Sequence, residues 1–324
     1  MSGSAGFLLG GADAKGAAEA AMLEYQVGFG LDTSFTGEDN LNISFESGNA
    51  PGTTNTPGAL LDWGVANADV LKVSDLNYTF PLAGWTVAVG DSMDASATWA
   101  SACSISNTLD ALGDCGAGNS TALGGDVSVS ASTEFGDGFV FGVGLSSADG
   151  STTQGILTSE SDDYYGLSLS YLKDTYGVTV AYANTTTTDI TAGADATAYD
   201  VGDPKTEKTY LGIVGSYSPE ALPLTVSGGY EIGTVESDDD TYQYSLGVSY
   251  AIGEGTLSVT GGTNGSFVGS ASDMSDEEEV RAYDVSYSYP INDSTTVTPF
   301  VYTIPGAESD LDVKGFGTSV SFSF

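Results

Sequence analysis

The sequence predicts an all-β protein: a closed antiparallel transmembrane β-barrel of about sixteen strands, with short periplasmic turns and long outer loops. Three observations predict it. Apolar and polar residues alternate with period two along most of the chain. Connections between these stretches alternate between short and long. The chain closes on KGFGTSVSFSF, with Phe316, Thr318, Val320, Phe322 and Phe324 on one face and Gly or Ser on the other. One face of such a strand suits lipid and the other a wet lumen.

The strands follow in order. Leu23, Tyr25, Val27, Phe29 and Leu31 share a face, and after Gly37 to Asn40 come Leu41, Ile43 and Phe45. Leu76, Tyr78 and Phe80 lead through Pro81 to Gly84 into Trp85, Val87 and Val89. The apolar parity shifts from Leu71 and Val73 to Leu76 and Tyr78, which predicts a bulge near Asp75. Val127 to Phe135 turns at Gly136-Asp137-Gly138 into Phe139 to Leu145. Tyr165 to Tyr171 turns at Lys173-Asp174 into Val178 to Tyr182. Leu211 to Tyr217 turns through Pro219 to Pro223 into Leu224 to Ile232. Tyr242 to Ile252 turns at Gly253-Glu254-Gly255 into Leu257 and Val259. Tyr283 to Tyr289 turns at Pro290 to Ser294 into Val297 and Val301.

With the closing strand this makes an odd set. The missing partner is expected around Phe7-Leu8-Leu9, leaving no free edge. Long connections are expected at 10–19, 47–67, 92–124, 148–162, 185–207, 235–240, 264–279 and 303–312. Aromatic residues beside the short turns, among them Phe35, Phe80, Trp85, Phe135, Phe139, Tyr171, Tyr176, Tyr217, Tyr250 and Tyr289, form the expected girdle. The pattern runs the whole chain, so 1–324 reads as one barrel domain.

Composition bounds the function. No apolar run approaches the roughly 18 residues of a membrane helix. The net charge of −37, with only seven Lys and Arg, argues against nucleic-acid binding. Met1 to Lys15 has neither the basic start nor the apolar core of a secretory signal. An exported barrel needs one, so the sequence is expected to lack its natural start. Cys103 and Cys115 share one polar, Gly-rich segment, and export permits a disulfide between them. Histidine is absent, which removes the His relays of barrel phospholipases and proteases. No enzyme activity and no cofactor are expected. The acidic runs Glu236 to Asp240 and Asp276 to Glu279 could hold Ca²⁺ or Mg²⁺ weakly, although such runs are more often only solvated.

The segment LDTSFTGEDNLNISFESG, 31–48, resembles the second hairpin of cyanobacterial outer-membrane porins. Leu31, Ser34, Phe35, Gly37, Glu38, Asp39 and Leu41 carry the likeness, with Ser47-Gly48-Asn49 after it. LNYTFPL, 76–82, is similar to a turn of the same family. The resemblance implies a porin barrel in the outer membrane, assembled as a homotrimer amid lipid and lipopolysaccharide. Full-length members add an S-layer-homology domain and a coiled coil, and neither is visible here. Asn40, Asn42 and Ser44 stand where the family carries arginine, which removes a basis for its ion preference.

A passive channel for small inorganic ions and small hydrophilic solutes is the expected function. By parity Glu24, Asp32, Glu46, Asp126, Glu134, Glu231 and Asp284 face the lumen, with Lys72 and Lys208 as the main cations there. Acidic linings favour cations. The alternative reading of the acidity is solubility or salt adaptation. The loop 92–124, the longest, is either an inward constriction pinned by the cysteines or an outer flap tied down for stability. Two other functions stay open: a structural or adhesive barrel plugged by its loops, and a soluble acidic β-rich surface protein.

Overall fold

The protein is described by a computed structural model covering residues 2–14, 20–50, 60–158, 161–188, 205–235, 240–263, 265, 267–268, 279–305 and 312–324. The strands are β1 (Ser2–Ala14), β2 (Ala20–Thr33), β3 (Asn40–Gly48), β4 (Lys72–Leu82), β5 (Trp85–Asp94), β6 (Gly125–Phe135), β7 (Phe139–Ser147), β8 (Asp163–Leu172) and β9 (Tyr176–Thr188). They continue as β10 (Lys205–Tyr217), β11 (Leu224–Val235), β12 (Thr241–Ile252), β13 (Gly255–Thr263), β14 (Phe267–Val268), β15 (Arg281–Asn292), β16 (Thr295–Ile304) and β17 (Val313–Ser323). Apart from the two-residue β14, which pairs with β12 beside the wall, sixteen strands span it. Every pairing is antiparallel, and β1 pairs with both β2 and β17. The sheet therefore closes on itself and has no edge.

Closure joins the chain ends at the short-turn side. Gly3 N–H donates to Phe324 O at 2.8 Å, and Phe324 N–H returns a bond to Gly3 O at 2.9 Å. The first strand is longer than the stretch around Phe7 that the sequence marks. Gly10 and Gly11 carry no side chain to show a period, yet they pair in register with Gly317 and Phe316. β9 and β10 also extend into the expected loop, β9 through threonines 185–188, which are uniform and show no alternation, and β10 from Lys205. The bulge expected near Asp75 is present, as a register shift between Ser44 and Phe45 against β4.

Period two sends alternate side chains to opposite faces. Outward, Leu9 is 58 % exposed and Leu23 is 65 %, and the band continues through Leu167, Leu211, Ile213, Leu246, Val259 and Val301. Inward, Leu8 is 1 % exposed, and Ser128, Ser130, Ser168, Ser170, Ser227, Ser245 and Ser258 are buried. At the short-turn end, rings of Phe135, Phe139, Tyr171 and Tyr176 follow one another at centroid distances of 5.4, 4.6 and 6.0 Å. Arg281 shares the outer face with Tyr283, and its Nε donates to Glu279 Oε1 at 2.6 Å. Lys314, cross-strand neighbour of Asp13, is exposed beside Phe316. Among the described residues no helix is long and apolar enough to cross a membrane.

The short turn after β2 explains why its residue pattern is so regular. Asp39 Oδ1 accepts from Ser34 Oγ, Phe35 N, Thr36 N and Thr36 Oγ1, and Oδ2 accepts from Tyr78 Oη at 2.6 Å. Gly37 completes the turn with φ +89°. Donors from Ser34 and Tyr78 hold the Asp39 carboxyl well below the usual carboxylate range.

Candidate pore constriction

The longest loop, 95–124, lies inside the barrel. It leaves β5 at Asp94 and runs extended along the inner wall. Every second residue then meets the next available strand. Thr98 N–H donates to Ser130 Oγ of β6 at 3.1 Å, and Ala100 O accepts from Ser170 Oγ of β8 at 2.6 Å. Ala102 N–H donates to Thr179 Oγ1 of β9 at 2.8 Å, and Ser104 N–H to Ser227 Oγ of β11 at 3.0 Å. Ser106 O accepts from Thr260 Oγ1 of β13 at 3.4 Å. Thr108 N–H ends the track on Asp284 Oδ2 of β15 at 2.6 Å. An extended chain rises about 3.3 Å per residue, so ten residues reach about 33 Å, enough to cross much of the wall.

The chain then returns. A tight turn that starts at Asp110 breaks at Gly113, and Asp114 and Cys115 take left-handed backbone with φ 50° and 57° before the short helix α1 (Gly118–Thr121). Leu112 O accepts from Ser245 Oγ of β12. Glu231 Oε2 of β11 accepts from Ser120 N–H at 2.6 Å, and Oε1 accepts from Asn119 and Gln243. A disulfide between Cys103 and Cys115, with Cα atoms 5.6 Å apart, ties the outgoing track to the returning arm. Glycines on the loop and on the wall make room. Gly116 has φ +68°, and a Cβ there would sit 2.2 Å from the Ser245 backbone. The Trp99 ring lies over Gly142, where a Cβ would meet it at 2.5 Å.

A second inward arm follows β3. Leu61 bridges to Leu109, Asp62 N–H donates to Thr108 O at 2.9 Å, and Gly64 N–H donates to Gln26 Oε1. Leu61, Leu109 and Leu112 pack with Leu8, Ala282, Phe300, Tyr302 and Ile304 in an apolar cluster inside the barrel. Sequence parity gives no sign of it. The available signal is the apolar run on both faces, Phe7-Leu8-Leu9 in β1 and Phe300-Val301-Tyr302 in β16.

The candidate lining residues fall into three groups. Glu24, Glu231 and Asp284 point inward, but the arms cover each to 1 % exposure. Glu231 and Asp284 anchor loop backbone, while Glu24 lies beneath Gly64. Glu231 and Asp284 therefore hold the loop, and Glu24 is covered by the second arm without accepting a hydrogen bond; none of the three lines open water, because the arms dock on the wall that parity assigned to them. Glu46 and Lys72 pair at 3.2 Å across β3 and β4. Asp32, Asp126, Glu134 and Lys208 are not covered in this way. Asp32 accepts from Asn40 and Asn42, so the asparagines of the 31–48 segment organise a polar wall.

The acids that sequence reasoning missed sit on the arms. Asp62, Asp110 and Asp114 are exposed to luminal space. Enclosure by the barrel raises the Asp114 carboxyl, and the charges of Asp62, Asp110 and Asp94 add to that. Enclosure likewise raises Asp62, with Asp110 adding. Four carboxylates thus share one field. None of them is paired with a cation among the described residues. The acidic run at 276–278 and most of the run at 236–240 lie outside the described residues. Glu279 is engaged by Arg281, Tyr242 and Tyr244. Burial raises its carboxyl, but those donors outweigh it and leave it below its ordinary value.

Solved structures share this architecture. The barrel has the porin fold. A Salmonella typhi OmpF structure, solved with daunomycin, matches with TM-score 0.63 and 15% identity over 100% of this chain and 96% of that one. An anion-selective porin from Comamonas acidovorans matches with TM-score 0.63 and 13% identity over 100% and 99%. Pseudomonas putida OprB matches with TM-score 0.66 and 11% identity over 100% and 93%. No family model matches the sequence, and no curated protein does.

Proposed function

We propose that the protein is a non-enzymatic outer-membrane porin that passes small inorganic ions and small hydrophilic solutes and prefers cations. The observation that carries this reading is the inward loop system. It narrows a closed barrel and presents Asp62, Asp110 and Asp114 without a matching cation. Lys72, the basic residue nearest the open wall of β3 and β4, is neutralised by Glu46. Fixed carboxylates concentrate counter-cations and repel anions over about 10 Å at moderate salt. The exposed apolar band and aromatic girdle fit lipid, which counts against a soluble acidic protein. The 31–48 hairpin supports kinship with cyanobacterial porins, and that kinship would make the protein a homotrimer contacting lipopolysaccharide.

A second reading has its own observation. The apolar cluster of Leu8, Leu61, Leu109, Leu112, Phe300 and Tyr302 fills part of the lumen, as a plugged structural barrel would require. Single-channel recording in planar bilayers separates the two. The porin reading predicts discrete conductance steps in potassium chloride. A folded, inserted protein with no steps would replace it with the plugged barrel.

A further inference from the structure

A pocket of about 440 Å³ lies inside the barrel, between the returning arm of the loop and the walls of β8, β9 and β10. That volume falls in the range of small-molecule sites. Its wall side is an ordered row. Tyr164 of β8 lies opposite Thr185 of β9, and Thr185 lies opposite Lys208 of β10. Directly opposed side chains on one face of a sheet stand about 5 Å apart, so the three present one surface. Tyr210 lies next in line on the same face of β10, and Thr187 continues β9. The loop side supplies Gly118, Asn119, Gly124 and Asp114.

The charges are the informative part. Lys208 and Asp114 line the same pocket, yet they do not form an ion pair with each other. Neither side chain is bonded to another charged group among the described residues. Lys72, the other cation that parity places in the lumen, is paired with Glu46. Lys208 is therefore an isolated anion-binding group inside a strongly acidic molecule. A solute with net negative charge is repelled before it arrives. A simple cation gains nothing from Lys208. A solute that uses both ends must be neutral overall and carry both signs.

We propose that this pocket is a binding subsite for short zwitterions, of the size of an amino acid or dipeptide, with the carboxylate at Lys208 and the ammonium at Asp114. The inference rests on the reading of the barrel as a solute channel only for its purpose; the site itself needs no current. Tyr164, Tyr210, Thr185 and Thr187 add hydroxyls to the same lining. Thr185 and Tyr164, beside Lys208 in the row, are placed to share the carboxylate.

Saturation-transfer NMR on the folded protein in non-ionic detergent tests this. The probes are glycylglycine, glycylglycinamide, which lacks the carboxylate, and N-acetylglycylglycine, which lacks the ammonium. The expected result is transfer to glycylglycine, reduced several-fold for both capped forms. Lys208→Gln should reduce it several-fold, and Lys208→Arg should retain it. Asp114→Asn provides an independent variant on the loop side. Equal transfer to N-acetylglycylglycine would make the pocket a plain oxyanion site and overturn the proposal. Insensitivity to both Lys208→Gln and Asp114→Asn would also overturn it. A protein that conducts but shows no zwitterion signal loses this site and keeps the pore. One that binds but does not conduct keeps the site and loses the pore.

Discussion

Asp284→Ala should release the inner end of the constriction loop. In the native protein one carboxylate oxygen accepts from Thr108 N at 2.6 Å, Thr108 Oγ1 at 3.1 Å and Leu109 N at 3.0 Å. Alanine leaves both backbone donors without an acceptor, Leu109 N–H in a place closed to water and Thr108 N–H in a half-buried one. Each stranded donor costs about 1–3 kcal/mol. Removing a buried carboxylate returns part of that, since the group is costly to bury. A net loss of about 3 kcal/mol in docking would raise the undocked fraction of this segment by about two orders of magnitude. The barrel should remain, because its wall hydrogen bonds are untouched and the disulfide still closes the loop. In single-channel recording the variant should flicker between the native level and a larger one. A trace with the native level and native noise, from a folded variant, would refute the claim that Asp284 pins the loop.

Other predictions follow from the same geometry. Cation preference should weaken as pH falls, and the change should begin above the ordinary carboxylate range of about 3.9, because Asp62 and Asp114 are raised and lose their charge early; reversal potentials across a pH series would show it. Asp39 works in the other direction. Its folded-state carboxyl is depressed, so the stability it contributes is full above the unfolded value and is lost only as pH falls through the lower folded one; heat-resistance of Asp39→Ala at neutral and acid pH should converge at the acid end. Glu46→Gln should lower cation preference by unmasking Lys72. Gly144→Ala should disturb the start of the loop, since a Cβ there collides with Ala95 O, at a cost of about 1–3 kcal/mol in thermal unfolding.

Much of the wall is legible in the sequence because a barrel between lipid and water imposes one rule at every strand. Leu167 and Leu169 must face out and Ser168 and Ser170 in, and the alternation shows it. The turn at Asp39 is legible as well, since its donors lie within five residues of it, Tyr78 excepted. The course of the loop is not. Ala102 meets Thr179, and Thr108 meets Asp284, across separations of 77 and 176 residues. The docking residues are ordinary inward serines and threonines, and nothing distinguishes Ser227 or Thr260 from neighbours that meet water. The same gap explains Glu231 and Asp284. Parity gives their direction correctly, but burial depends on a segment more than a hundred residues away. Asp62, Asp110 and Asp114 were invisible for the complementary reason, since a loop residue has no parity.

The reversal potential of single channels in a potassium chloride gradient tests the central claim most directly, measured for the native protein and for Asp62→Asn, Asp110→Asn, Asp114→Asn combined. The account predicts that the dilute side becomes positive for the native protein, as selective flow of potassium requires. It predicts a smaller potential for the triple variant, because the loop arms carry much of the fixed charge. A dilute side that turns negative, or a triple variant with an unchanged potential, would contradict it.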